Sequence, residues 1–155
     1  MSFQINIPSL SIREAIVDSL YRCVLGFDTA DTNLFDSAFH QDATFEINDQ
    51  VMTGLSAIHT GCYDNVSKLD TTHFLSNIRV TLTDGSETKA TVTASALAQH
   101  YRPGQGNEPD TSRLLSGSLY FVGVEKDEKE GLWKIRSFKM KLVWTEGDWG
   151  VITGN

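Results

Sequence analysis

Leu132-Trp-Lys-Ile-Arg-Ser-Phe-Lys-Met-Lys-Leu-Val-Trp-Thr145 is the stretch that decides the fold. Trp133 and Ile135 share one phase of an alternating strand, whereas Phe138, Met140, Leu142 and Trp144 share the other. Successive strand side chains point to opposite faces. A change of phase near Arg136-Ser137 therefore predicts an inserted residue, and such a β-bulge bends the sheet that carries it. Upstream, the segment Thr91 to His100 puts Val92, Ala94, Ala96, Ala98 and His100 on one face. Small side chains on a strand face leave space above it, for a packed helix or for a ligand. A long, bent antiparallel sheet curls around its helices and leaves a pocket at the open end.

The other strands follow from the same alternation. Phe74 to Leu82 reads as the first long strand, with Thr83-Asp84-Gly85-Ser86 as its turn, and Thr88 to Tyr101 as the second. The loop Arg102 to Ser112, rich in Pro, Gly and Asn, leads to a third strand, Leu114 to Glu125. The run Glu125-Lys-Asp-Glu-Lys-Glu130 has mixed signs and precedes Gly131, which predicts a solvated hairpin turn before the last strand. Nearer the N-terminus, Ala43 to Ile47 and Val51 to Thr53 form a small hairpin turning at Asn48-Asp49.

Helices occupy the rest. Ser11 with Glu14 makes a capping box. Behind it Ile12, Ala15, Ile16, Leu20, Cys23, Val24 and Phe27 recur at helical spacing as one apolar stripe. A short second helix after Asp31 or Thr32 places Leu34, Phe35, Ala38 and Phe39 inward, and Gly54 to about Leu69 predicts a third. The order is α-α-β-β-α-β-β-β-β, in one domain over residues 1–155 with its core at about 10–148.

Composition narrows the function. With 40% hydrophobic and 21% charged residues, the chain has the make-up of a water-soluble globular protein. A net charge of −7 argues against a nucleic-acid partner, because phosphate binding draws on clustered Lys and Arg. No apolar run approaches the roughly 20 residues that cross a bilayer, and the N-terminus lacks the basic start and apolar stretch of a signal peptide. The expected location is intracellular, in the cytoplasm. Cys23 and Cys62 form no CxxC pair and are expected reduced. The histidines His40, His59, His73 and His100 show no metal-ligand spacing, and no GxGxxG, P-loop or GxSxG motif occurs, so neither metal nor nucleotide cofactor is expected. Asn65-Val-Ser67 fits the glycosylation pattern, but carries no expectation without secretion.

Some residues stand out chemically. Asp28 borders the apolar stripe at the end of the first helix, where the macrodipole disfavours negative charge. A histidine that can become positive is its natural partner; the plain alternative is an exposed turn residue. His73 opens a strand, and unaided it reads as a surface or core residue more readily than as a catalyst. His100 ends the alanine-lined face and looks into the pocket unless it sits at the sheet edge. Asn77 shares the strand phase of His73. Tyr21 is either a hydrogen-bond donor to substrate or a satisfied core tyrosine. Ser116, Ser118 and Tyr120 share one face of the third long strand, either as a wet pocket wall or toward solvent.

The order of elements, the Asp-x-x-x-x-x-x-Phe run from Asp28 to Phe35, Thr72-His-Phe-Leu-Ser-Asn77 and Gly131-Leu-Trp-Lys-Ile135 together resemble the SnoaL-like family. That family lies in the superfamily of ketosteroid isomerase, scytalone dehydratase and nuclear transport factor two. The resemblance spans roughly residues 10 to 148. It implies a cone-shaped α+β barrel, with three helices from the N-terminal half packed on a curved, mixed but mainly antiparallel sheet. It also implies an Asp28–His73 catalytic pair with Tyr21 or His100 orienting substrate oxygens, a role for which Asn77 is a further candidate by its strand phase. Phe27, Phe45, Tyr63, Met140 and Trp144 are expected to divide between core and substrate contact. Scytalone dehydratases carry Tyr immediately before the Asp, where this sequence has Phe27. The implied activity is that of a cofactor-independent isomerase, cyclase or dehydratase on a hydrophobic, carbonyl-bearing molecule in polyketide or terpenoid biosynthesis. A non-catalytic binding or oligomerisation domain is the alternative, as is a structural subunit resembling the small subunit of ring-hydroxylating oxygenases. A homodimer or homotrimer through the sheet is expected.

Overall fold

A computed structural model describes residues 2–83 and 85–155; Met1 and Asp84, the latter within the expected turn Thr83 to Ser86, lie outside the described residues. The first helix, α1 (Ile12–Asp28), starts on the expected capping box. Ser11 Oγ accepts the Glu14 N–H at 3.2 Å, and the Glu14 carboxylate accepts the Ser11 N–H at 2.7 Å. Ile16, Leu20, Cys23, Val24 and Phe27 are buried, while Ile12, expected on the same stripe, is exposed. Helix α2 (Thr32–Ser37) is N-capped by Asp31, whose carboxylate accepts the Leu34 N–H at 3.0 Å. The two helices meet at Gly26, where a Cβ would lie 2.6 Å from that of Phe35.

The sheet runs β2-β1-β6-β5-β4-β3, from β1 (Phe39–Ile47), β2 (Gln50–Thr53), β3 (Asp70–Leu82), β4 (Lys89–Tyr101), β5 (Arg113–Asp127) and β6 (Leu132–Gly147). Strand β1 pairs with β6 in parallel, and every other pairing is antiparallel. The β1–β2 turn has Asn48 and Asp49 at φ 48° and 68°, the positive angles that a tight hairpin with right-handed twist requires. The predicted bulge is present. Ile135 and Ser137 oppose the adjacent pair Val124 and Gly123, leaving Arg136 as the extra residue. Two further bulges in the antiparallel pairings were not read from the sequence. Val143 is inserted opposite Gly117-Ser118, and Asn77-Ile78 stand against the single residue Ala94 on β4. Together the three bend the sheet around the helices, and Ala94, Ala96, Ala98 and His100 are buried on its concave side.

Strand β3 ends the sheet, so its outward N–H and C=O groups need cover. Helix α1 supplies it at both ends: Arg13 donates to the Val80 carbonyl at 3.1 Å, and Asp28 accepts the His73 N–H at 2.8 Å. The expected single third helix is interrupted. Helix α3 (Leu55–Ile58) passes into a π-helical turn, His59–Tyr63, and resumes as α4 (Asp64–Val66). The wider turn admits an extra residue and brings Cys62 and Tyr63 inside. The chain does not end in strand. A short helix, α5 (Gly150–Thr153), folds back after β6, held by Asn65 donating to the Ile152 carbonyl at 2.8 Å and Arg102 donating to the Asn155 carbonyl at 3.0 Å.

Candidate active site

Asp28 and His73 meet where the last turn of α1 crosses the start of β3. Asp28 Oδ2 accepts the backbone N–H of His73, and Oδ1 lies 2.6 Å from His73 Nδ1. An ionised carboxylate only accepts hydrogen bonds, so Nδ1 carries the ring proton and Nε2 keeps its lone pair. Gripping backbone and ring of one residue fixes the rotamer as well as the tautomer. The pair is nearly out of solvent, with side-chain exposures of 11% for Asp28 and 9% for His73. No basic residue occupies the last turn of α1, so the histidine is the group that answers the unfavourable helix-end dipole. Phe27 stacks on the imidazole with centroids 5.6 Å apart.

His73 borders a cavity of about 180 Å³. Its walls are mainly apolar, from Phe27 and Phe45 on one side of the chain to Met140 and Leu142 on β6, with Trp149 and Ile152 contributed by the C-terminal segment. His100 faces the same space, and its ring stands edge-on to that of His73 at 5.7 Å. His100 Nδ1 donates to the Leu114 carbonyl at 3.0 Å, which leaves Nε2 as its acceptor. Burial pushes the pKa of His100 below its ordinary value, an effect the Leu114 bond only partly offsets, so the ring is neutral near pH 7. Burial also pushes the Cys62 thiol up to about 12, so this lining residue is an inert thiol. A neutral His100 beside a carboxylate-held His73 gives one group suited to accept a proton and a second suited to orient an oxygen.

The structure thus brings Asp28, His73, His100, Phe27, Phe45 and Met140 together and leaves four expected residues elsewhere. Tyr21 sits seven residues before Asp28, about 10 Å along the helix axis at 1.5 Å per residue. It is exposed in a groove with Ile7, Leu10 and Ile78. Asn77 is a bulge residue at φ 53° whose amide donates to Ser95 Oγ at 3.2 Å, away from the cavity. Tyr63 is a core residue with its hydroxyl 3.1 Å from Thr32 Oγ1 and its ring against Phe27 and Phe35. Trp144 is turned outward by the Val143 insertion and lies over Gly117. In the other direction, Ser116, Ser118 and Tyr120 line the cavity, which answers the choice their alternation left open. Leu114, Trp149 and Ile152 were missed. The two remaining histidines have partners outside the cavity: His59 Nε2 lies 2.5 Å from Asp36, and His40 Nε2 lies 2.9 Å from the Glu125 carbonyl. Among the described residues, no cluster of three His, Cys, Asp or Glu side chains is placed to hold a metal ion.

Known proteins of similar sequence and shape bear on this site. The SnoaL-like domain profile matches residues 8–139. Terrestric acid biosynthesis cluster protein E of Penicillium crustosum is 52% identical over 144 residues, which cover 93% of this chain and 91% of that protein. Among solved structures, a scytalone dehydratase-like protein of Novosphingobium aromaticivorans superposes with a TM-score of 0.73 at 22% identity, covering 88% of this chain and 87% of its own. A hexachlorocyclohexane dehydrochlorinase, LinA type 2, gives 0.71 at 20% identity, with 90% of each chain covered. These two likenesses show the cone-shaped fold. With a profile match over most of its length and a relative of this identity, the chain belongs to the SnoaL-like family.

Proposed function

We propose that this protein is a cofactor-independent acid–base enzyme of isomerase, cyclase or dehydratase type, acting on a hydrophobic, carbonyl-bearing small molecule in secondary-metabolite biosynthesis. One observation carries the reading: the Asp28-held His73, with its Nε2 lone pair free, borders an apolar cavity. His73 takes a proton from a carbon beside the substrate carbonyl, the C–H electron pair forms the new C=C bond, and the carbonyl π pair moves onto oxygen. Asp28 stabilises the imidazolium that forms. The proton then returns to another carbon, or to a departing hydroxyl. Assistance of this kind is worth about 10² to 10⁴ in rate. The Penicillium crustosum relative, a biosynthesis cluster protein, supports the secondary-metabolite setting. The substrate proposed with it is polyketide- or terpenoid-derived, and the proposed location is the cytoplasm. No helix among the described residues is long and apolar enough to cross a membrane.

Complementation tests this reading. In a Penicillium crustosum strain lacking cluster protein E, the wild-type chain is expected to restore terrestric acid, and His73→Ala and Asp28→Asn to leave it at or near the level of the empty strain. Restoration by both variants to the wild-type level would overturn the assignment.

A further inference from the structure

We infer that the inner face of β5 is an oxygen-binding subsite, in which Tyr120 Oη and Ser118 Oγ hold the carbonyl oxygen of a small, single-ring substrate facing His73. The inference rests on the reading of Asp28–His73 as the proton-moving pair and specifies what that pair acts on. Tyr120 is 5% exposed and Ser118 6%, and both line the cavity. Among the described residues neither hydroxyl has a hydrogen-bond partner, and both oxygens open onto the cavity instead of being sealed in packed core. A hydroxyl that opens onto a mainly apolar cavity and has no protein partner keeps its donor available to a ligand oxygen. The two residues are two apart on one strand, so their side chains rise from the same face about 7 Å apart at the backbone.

The phenol is also held in place. Its ring stands edge-on to Phe138 at 4.7 Å, and Phe138 stacks on Phe45 at 4.4 Å. Burial pushes the Tyr120 pKa far up, with the Asp28 charge adding to it, so the hydroxyl stays protonated and acts as a donor. The size of the room decides the substrate class. At about 180 Å³ it is little larger than the roughly 150 Å³ that encloses a benzene ring. One ring with small substituents fits, and in so small a space it touches β5 and His73 at once. As the proton leaves carbon for His73 Nε2, the carbonyl π pair moves to oxygen, and the resulting enolate accepts hydrogen bonds from Tyr120 and Ser118. No electrons enter or leave.

The test uses para-nitrophenol, whose phenolate has the size and charge of such an enolate, against nitrobenzene, which lacks the oxygen. Quenching of tryptophan fluorescence reports binding, since Trp149 lines the cavity. Wild type is expected to bind para-nitrophenolate more tightly than nitrobenzene. Tyr120→Phe is expected to lose about tenfold for the phenolate, the worth of one hydrogen bond to a charged group, while keeping its nitrobenzene affinity. Ser118→Ala removes the second donor without touching the aromatic packing and is expected to show the same selective loss. Equal affinity of wild type for the two probes, no binding of either, or equal loss of both in the variants would overturn the subsite. Because binding needs no turnover, the two readings fail separately. Selective loss with His73→Ala still complementing keeps the subsite and sinks the catalytic pair; the reverse pattern sinks the subsite alone.

Discussion

Among the described residues two histidines hold a carboxylate close to a ring nitrogen, His73 with Asp28 and His59 with Asp36. What separates them is surroundings. His59 and Asp36 are 22% and 38% exposed, where an ion pair in water is worth little, whereas His73 is nearly buried beside a cavity. His100 differs again, since its Nδ1 proton is committed to the Leu114 carbonyl and burial keeps the ring neutral. A histidine whose folded pKa lies below its ordinary 6.5 binds fewer protons folded than unfolded between those two values. Stability therefore falls as pH drops through about 6.5 toward the folded value and is insensitive to this group above that window. Urea unfolding of wild type and His100→Gln at a series of pH values checks this, and the variant is expected to show the shallower acid slope. Identical slopes would mean that His100 is not held neutral.

Elements were legible where a pattern broke cleanly. The capping box needs only Ser11 and Glu14 at the right spacing, and the Arg136 bulge announces itself because apolar residues change phase across two polar ones. The Val143 bulge does the opposite. It inserts an apolar residue between Leu142 and Trp144, so the alternation looks unbroken in the sequence while the indole turns to the outer face. Gly117, opposite, was the available sign, because any Cβ there would strike the Trp144 ring. Asn77 misled for a related reason. It follows His73 in even steps, but its left-handed backbone, which Asn tolerates better than most residues, takes it out of the alternation. The Asp28–His73 contact was half legible: a helix-end carboxylate wants a positive partner, but the choice of His73 as that partner came from the family resemblance. The π turn and α5 lacked such a signature: each is only four or five residues long, with no cap or period to read.

At the scale of the whole molecule, the bent sheet has two unlike sides. The concave side encloses the cavity, with the end of α1 and the edge of β3 meeting at its rim. The outer side carries an apolar row across four strands, Phe74, Leu97, Gly117 and Trp144, with Leu119 and Phe121 also outward. The five large side chains among these are 38% to 59% exposed, a patch of the kind that marks an interface. The expected homodimer or homotrimer through the sheet is proposed on this patch. Sedimentation velocity is expected to show one of these two assemblies for wild type and a monomer for Phe74→Glu/Leu97→Glu; a wild-type monomer at micromolar concentration would contradict the proposal. The central claim is that helix end and strand edge together hold His73 with its proton on Nδ1 and a bare Nε2 at the cavity. Nitrogen-15 NMR of the histidine rings, at about pH 8 where a free imidazole is neutral, measures this directly. The account predicts a single Nδ1–H tautomer for His73 in wild type, lost in Asp28→Ala. A His73 protonated on Nε2, or one whose tautomer ignores the loss of Asp28, would contradict it.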